Sequence, residues 1–252
     1  MDSFISWIGG KKQLREIICG HFPQSGTEKY VEVFGGAAWV LFHKDKHAKL
    51  EVYNDINSNL VNLFKCVKYH PNTLNEELEN MLNSREMYNN CKALYKSDAL
   101  TDIQRAARYF YMIKASFGSK VSSFGAQSRN ITNAEYLGSF KERLSKVVIE
   151  NKTFEALIKQ YDRPHTLFYC DPPYFGTEKY YDTGDTAFDK AMHEKLAETL
   201  RKIKGKVIIS YNDHEYIREL YHGFNIEAIS RLNNLSPNTG QKQYHELLIK
   251  NF

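Results

Sequence analysis

Short β-rich runs recur at residues 30–34, 50–54, 147–150, 166–170, 207–210, 226–229 and 246–250. Helix-length segments with apolar residues at helical spacing lie between several of them, as at residues 187–203. Alternation of this kind predicts a mostly parallel sheet covered by helices. A chain of 252 residues can be one large α/β domain, or a domain with a smaller insert, and either buries a real core.

The middle of the chain breaks the alternation. Ser58 is placed to cap a helix carrying Leu60, Leu63, Phe64 and Val67 at helical period. Thr101-Asp102-Ile103-Gln104 has the form of a capping box and opens a run through Ala106, Ala107, Phe110 and Ile113 that stops near Gly118. Residues 61–146 therefore read as a helical insert, with residues 1–60 and 147–252 forming the sheet-bearing domain. The Ser/Gly-rich stretch 116–130 has too few apolar residues for a core element and reads as a loop or hairpin.

Cys19, Cys66, Cys91 and Cys170 are scattered, with no C-x-x-C spacing, so neither a disulfide framework nor a zinc site is indicated. The first ten residues hold no apolar run long enough for a signal peptide, and no later stretch is long enough to span a bilayer, so a cytoplasmic location is expected. The net charge is +4, but residues 65–163 hold 16 Lys+Arg against 11 Asp+Glu, so a polyanionic partner would meet the middle segment. His43 and His47 have the i, i+4 spacing of a metal pair, yet no third ligand is evident. They read as surface residues, and no metal is expected. Tyr109, Phe110 and Tyr111 read as core and helix-surface residues rather than a base-stacking platform.

Three places can carry chemistry. At Tyr30-Val31-Glu32-Val33-Phe34-Gly35-Gly36-Ala37-Ala38 a strand runs into a small-residue turn and then an apolar helix through Trp39, Val40, Leu41 and Phe42. Gly35 and Gly36 would let backbone approach a ligand closely, although the pattern is not G-x-G-x-x-G. Asp55 ends the second strand about twenty residues further on, where a carboxylate can bind ribose hydroxyls; the bland alternative is that Asp55 and Asn57 only cap the next helix. The strongest signal is Thr166-Leu167-Phe168-Tyr169-Cys170-Asp171-Pro172-Pro173-Tyr174-Phe175, an apolar strand that ends in an acid, two prolines and two aromatics. Two prolines cannot continue a central ladder, so the backbone leaves the sheet there and Asp171 projects into the cleft at the carboxyl end of the strand.

Methylation of an exocyclic aromatic amine explains these residue types. The amine lone pair is delocalised into the ring, so acceptors that hold its hydrogens are needed to aim it. The Asp171 carboxylate and the Pro172 carbonyl on a stiff backbone can do this, with Tyr174 or Phe175 stacking on a base taken out of the duplex.

Taken in order, Trp7-Ile8-Gly9-Gly10-Lys11, Glu32-Val33-Phe34-Gly35-Gly36-Ala37-Ala38, Asn54-Asp55-Ile56-Asn57 and Asp171-Pro172-Pro173-Tyr174 resemble the Dam-type, adenine-specific DNA methyltransferases. The likeness continues in Val147-Val148-Ile149-Glu150-Asn151-Lys152-Thr153-Phe154, in Ile209-Ser210-Tyr211-Asn212-Asp213 and in the closing seven residues. The resemblance implies a seven-stranded, mostly parallel S-adenosylmethionine-dependent methyltransferase sheet, with a target-recognition insert ahead of the catalytic strand. Activity would be transfer of a methyl group to the N6 amino group of adenine in double-stranded DNA by base flipping. By the same resemblance Trp7 and Lys11 contact the methionine end of the cofactor, and Phe34, Gly35 and Gly36 line its site. Asp55 binds the ribose hydroxyls, Ile56 and Phe154 sandwich the cofactor adenine near Thr153, and Asp171, which also borders the cofactor, forms the target-base pocket with Pro172, Pro173 and Tyr174. The family's glycine motif often has Gly where Ala38 stands, and the position of Thr153 is often acidic.

The basic insert fits this picture. Arg105, Arg108 and Lys120 are candidate phosphate contacts, and Arg143 belongs to the same cluster of basic residues. Arg129 and Asn130 are the residues placed to reach base edges. A monomer is expected, with room for more than one copy on DNA. Structured RNA as the substrate, and a binding protein without catalysis on the same fold, remain alternatives. So does a cytosine amino methyltransferase, in which Ser more commonly replaces the acid. The recognised sequence and any restriction partner are not legible.

Overall fold

Along each inner strand, alternate side chains go to opposite faces of one sheet, and both faces are apolar. The computed structural model describes residues 1–97, 99–117, 121–126, 134–178, 187–232 and 243–252. The strands are β1 (Lys29–Glu32), β2 (Leu50–Asn54), β3 (Val147–Glu150), β4 (Thr166–Cys170), β5 (Lys206–Asn212), β6 (Asn225–Leu232) and β7 (Gln243–Lys250). They form one seven-stranded sheet in the order β3-β2-β1-β4-β5-β7-β6. β7 is antiparallel to both its neighbours, and the other pairings are parallel. The sheet predicted from the seven β-rich runs is therefore present, and its order reverses between β1 and β4.

Tyr30, Tyr53, Leu167, Tyr169, Ile208 and Leu248 face one side. There they share a core with α1 (Arg15–Gly20), α2 (Ser58–Tyr69), α3 (Pro71–Glu79), α4 (Arg85–Leu94), α5 (Asp102–Ala115) and α6 (Gly138–Leu144). Val31, Val52, Phe168, Cys170, Val207 and Ile209 face the other side and pack on α7 (Phe154–Tyr161), α8 (Lys190–Arg201) and α9 (Glu215–Leu220). Burying a large apolar side chain contributes roughly 1.5–3 kcal/mol, so a strand buried on both faces is held firmly in register.

The helical segment between β2 and β3 is thus one wall of the sheet's own core. Tyr53 of β2 stacks on Phe64 of α2 at 4.1 Å, and Phe64 meets Phe4 and Phe42. Tyr109, Phe110 and Tyr111 are all buried, as expected of core residues. The capping box at Thr101 is formed as its sequence predicts. Three expectations need correction. The cap of α2 is Asn57, whose side chain accepts from the backbone of Asn59 and Leu60, while Ser58 is already helical. The glycine turn leads into a short 3-10 turn at Leu41–His43 rather than an α-helix, because Ala38 takes a left-handed φ of 56° that interrupts a helical path. His47 is half-buried rather than exposed; its ring lies tilted against Tyr30 at 4.6 Å and its Nε2 is 2.8 Å from the Val40 carbonyl. Burial holds its pKa down to about 4, so it is neutral.

Candidate active site

At the carboxyl ends of the parallel strands, where the order reverses, lies a cavity of about 330 Å³. The strand ends are stitched together by one side chain. Asn54 donates to the carbonyls of Val33 and Lys152 at 2.9 and 3.1 Å and accepts from the Lys152 backbone at 2.9 Å. This amide fixes the exits of β1, β2 and β3 relative to one another, which the sequence alone did not disclose.

Trp7, Lys11, Phe34, Gly35, Gly36, Asp55, Ile56, Thr153, Phe154 and Asp171, the ten residues that the resemblance assigned to the cofactor, all line this one cavity. Asp55 is held by the two turns it joins, since Oδ2 accepts from Gly36 N at 2.9 Å and Oδ1 from Asn57 N at 2.8 Å. Ile56 is 39% exposed at the rim, while Phe154 is buried at the start of α7. Thr153 is the cap of that helix, accepting from Ala156 N. The glycines have separate reasons. A Cβ on Gly35 would lie 2.2 Å from the Tyr53 ring, so that position is bare because Tyr53 fills it. Gly36 has φ +48°, and its Cβ would press on Trp7 at 3.0 Å.

The turn after β4 carries the charge. Lys11, 4% exposed, places its ammonium 2.7 Å from Asp171 Oδ1 and 2.8 Å from Oδ2, and donates to the Gly9 carbonyl at 2.7 Å. It also sits 4.7 Å from the Tyr174 ring centroid and 3.9 Å from Glu246 on β7. The Tyr174 hydroxyl donates to Glu246 at 2.5 Å, and burial, with Asp171 and Glu246 nearby, pushes the Tyr174 phenol pKa well up. Asp171 and Pro173 line the cavity; Pro172 is buried, and Tyr174 stands beside Asp171 over Lys11. Phe175 is engaged elsewhere, against His214 at 4.9 Å and Tyr216 at 4.5 Å.

The donor set of the cavity suits the expected cofactor. A sulfonium amino acid joined to a nucleoside needs a carboxylate for the ribose, flat apolar walls for the base and polar groups at the amino-acid end. Asp55, the Ile56 and Phe154 pair, and Trp7 with Lys11 supply these in one cavity.

Sequence reasoning missed Glu32, Phe188, Met192 and Lys195, all of which line the cavity. Phe188 completes a cluster with Phe34 and Phe154 at 5.7 and 6.2 Å, and Lys195 pairs with Glu155. Met192 and Lys195 lie one turn apart on one face of α8, and Phe188 stands just ahead of its cap, Asp189, but only packing shows that they meet the cavity. Glu32 is buried with its pKa raised to about 8, chiefly by desolvation, against which the Tyr30 hydroxyl and the Leu41 backbone act. Among the described residues no group of three or more His, Cys, Asp and Glu is arranged to hold a metal.

Of the basic candidates, Arg105 pairs with Asp102 at 2.8 Å and Arg108 donates to the Gln104 carbonyl at 3.2 Å. Both lie on α5, and neither lines the cavity. Lys120, Arg129 and Asn130 lie outside the described residues. Arg143, counted above with the basic surface, is a structural clamp. Its guanidinium grips Glu51 of β2 at 2.8 and 2.9 Å and the Leu41 carbonyl at 2.7 Å.

A family model described as D12 class N6 adenine-specific DNA methyltransferase matches residues 7–235. The type II methyltransferase M1.LlaDCHI of Lactococcus lactis subsp. cremoris is 27% identical over 278 residues, covering 99% of this chain and 95% of the relative. The DNA adenine methylase of Vibrio cholerae is 26% identical over 269 residues, covering 98% and 94%. The type II methyltransferase M.CviBI of Paramecium bursaria Chlorella virus NC1A is 24% identical over 238 residues, covering 89% and 88%.

Proposed function

The chain belongs to the D12 class N6 adenine-specific DNA methyltransferase family, and on that premise we propose how its cavity divides the work of the reaction. S-adenosylmethionine, when bound, supplies an electrophilic sulfonium methyl. Asp55 accepts the ribose hydroxyls, the Ile56 and Phe154 side chains enclose the adenine ring, and Trp7, Gly35 and Gly36 bound the amino-acid end. Thr153 stands at the adenine edge.

The target adenine is flipped out of the duplex and enters beside the turn at residues 171–174. The Asp171 carboxylate and the Pro172 carbonyl accept the two amino hydrogens, and the Pro172-Pro173 backbone holds them rigid. Tyr174 stacks on the base, which offsets part of the cost of unstacking it. Lys11 grips both oxygens of Asp171 and so fixes the direction in which the carboxylate faces. A bond forms from N6 to the methyl carbon as the carbon–sulfur bond breaks, and the surplus N6 proton leaves afterwards to water. No strong base is needed, and none is assigned.

Residues 61–146 read the DNA, with Arg105, Arg108 and Lys120 on phosphates and Arg129 and Asn130 at base edges. The enzyme works without a metal, in the cytoplasm, as a monomer that can load more than one copy on a DNA molecule. Among the described residues no helix is long and apolar enough to cross a membrane.

The observation that carries this reading is the Lys11 and Asp171 pair in the cavity that also holds Asp55. The test is incorporation of a labelled methyl group from S-adenosylmethionine into unmethylated duplex DNA and into ribosomal RNA, followed by nucleoside analysis. Label is expected as N6-methyladenine in DNA. Asp171→Ala should lower kcat by roughly 10²–10³-fold or more while leaving much of DNA binding. Full activity in Asp171→Ala would sink the mechanism, and label confined to RNA would overturn the substrate.

A further inference from the structure

His193 of α8 is fully buried and stands where three parts of the site meet. Its Nδ1 is 2.6 Å from the Tyr211 hydroxyl on β5, and its Nε2 is 3.2 Å from Glu178 Oε1. Glu178 also accepts from Gly176 N at 2.8 Å, while Thr177 returns its backbone N–H and its hydroxyl to the Tyr174 carbonyl at 2.9 and 3.0 Å. Glu178 therefore closes the backbone that leaves the turn at residues 171–174. The imidazole edge meets Phe188 at 4.8 Å and Phe175 at 5.5 Å. Phe188 and Met192 both precede His193 in the chain and line the cavity. The Tyr211 ring lies 6.1 Å from that of Tyr174. A carboxylate only accepts, so Nε2 carries the proton and Nδ1 accepts from Tyr211. Burial holds the ring's pKa below the ordinary histidine value, with Glu178 and the more distant Asp189 opposing, so the neutral tautomer fits both partners.

We propose that His193 is a positioning residue for methyl transfer, fastening the exit of the turn at residues 171–174 to the Phe188 and Met192 wall of the cofactor cavity. The proposal rests on the reading above, in which that turn holds the target amine. His193 touches no reacting atom; it acts through Glu178 and Tyr211.

The test is steady-state methylation of duplex DNA by the wild type, His193→Phe, His193→Gln, Glu178→Ala and the double variant His193→Phe with Glu178→Ala, with DNA affinity and melting temperature measured in parallel. Phe fills the site without either hydrogen bond, whereas the Gln amide can still donate to Glu178. His193→Phe and Glu178→Ala should each lower kcat roughly tenfold or more, and the double variant should lose no more than the worse single. DNA affinity should stay within about twofold, and His193→Gln should recover most of kcat. Glu178 is 27% exposed, so its variant does not depend on the core repacking. Wild-type kcat in Glu178→Ala, or independent, additive losses in the double variant, would overturn the proposal. So would a His193→Gln enzyme that melts like the wild type yet is as slow as His193→Phe. A wild type that methylates no DNA would instead defeat the reading of the site itself.

Discussion

Two carboxylates in the cavity are held in different ways. Desolvation keeps the proton on Glu32 up to about 8, against an ordinary 4.5, and outweighs the Tyr30 hydroxyl, the Leu41 backbone and the charge of Arg143. The unfolded chain releases that proton from about 4.5 upward, so the folded state binds more protons across this window and loses stability as pH rises through it. Glu32→Gln keeps an acceptor for the Tyr30 hydroxyl, which donates at 2.8 Å, and removes the titration. Its unfolding free energy should exceed that of the wild type at pH 8.5 by up to a few kcal/mol, with the gap closing toward pH 5. An unchanged gap, followed by thermal melting, would refute the assignment. Asp55 is ordered by backbone donors on both sides. Asp55→Ala should raise the KM for S-adenosylmethionine roughly tenfold and cost about 1–2 kcal/mol of stability, and Asp55→Asn should raise KM similarly at smaller stability cost. Calorimetric titration together with denaturant melts separates the two effects. Ala38, where the family often has Gly, occupies a left-handed φ that costs an L-residue roughly 1–2 kcal/mol, so conformation rather than size is what distinguishes the two residues there.

At the level of elements, α6 is joined to β2 by charge as well as by packing. The side chains of Arg143 and Glu51 are 8% and 5% exposed, and Glu51 also accepts from His47 N at 2.9 Å. Arg143→Met leaves Glu51 buried without its cation and should cost about 3–5 kcal/mol. The salt dependence of DNA binding should be unchanged, because Arg143 is not offered to phosphate. A milder melt and a shallower salt slope would return Arg143 to the DNA surface. Arg108→Ala is the contrast, expected to reduce that slope by about one with little change in melting.

Across the whole molecule, residues 61–146 divide into two roles. Tyr53, Leu144 and Leu248 belong to a core shared by the strands and the helices α2 to α6, so the helical segment covers one sheet face while it also carries the proposed DNA contacts. Thermal unfolding should therefore be one transition, with near-UV and far-UV circular dichroism coinciding, and S-adenosylmethionine should raise its midpoint. Two separated transitions would show that the insert folds apart from the sheet.

Strand positions, the capping box at Thr101, the charged turn at Asp171 and the carboxylate at Asp55 were legible in the sequence. Each depends on residues close together in the chain, through period-two burial, local hydrogen bonding or the inability of Pro172 and Pro173 to extend a ladder. The order reversal between β1 and β4 was not among them, because it is set by pairings between strands far apart in the chain. What only the tertiary structure decided is which groups meet across long separations. Lys11 lies on Asp171, Glu246 on Tyr174, Arg143 on Glu51, and Phe188, Met192 and Lys195 line the cavity together. A lysine, a glutamate or a helical stripe looks the same in sequence whether it meets solvent, phosphate or a buried partner. Its role is fixed by the low dielectric and the geometry at the contact, and both exist only after the chain has folded.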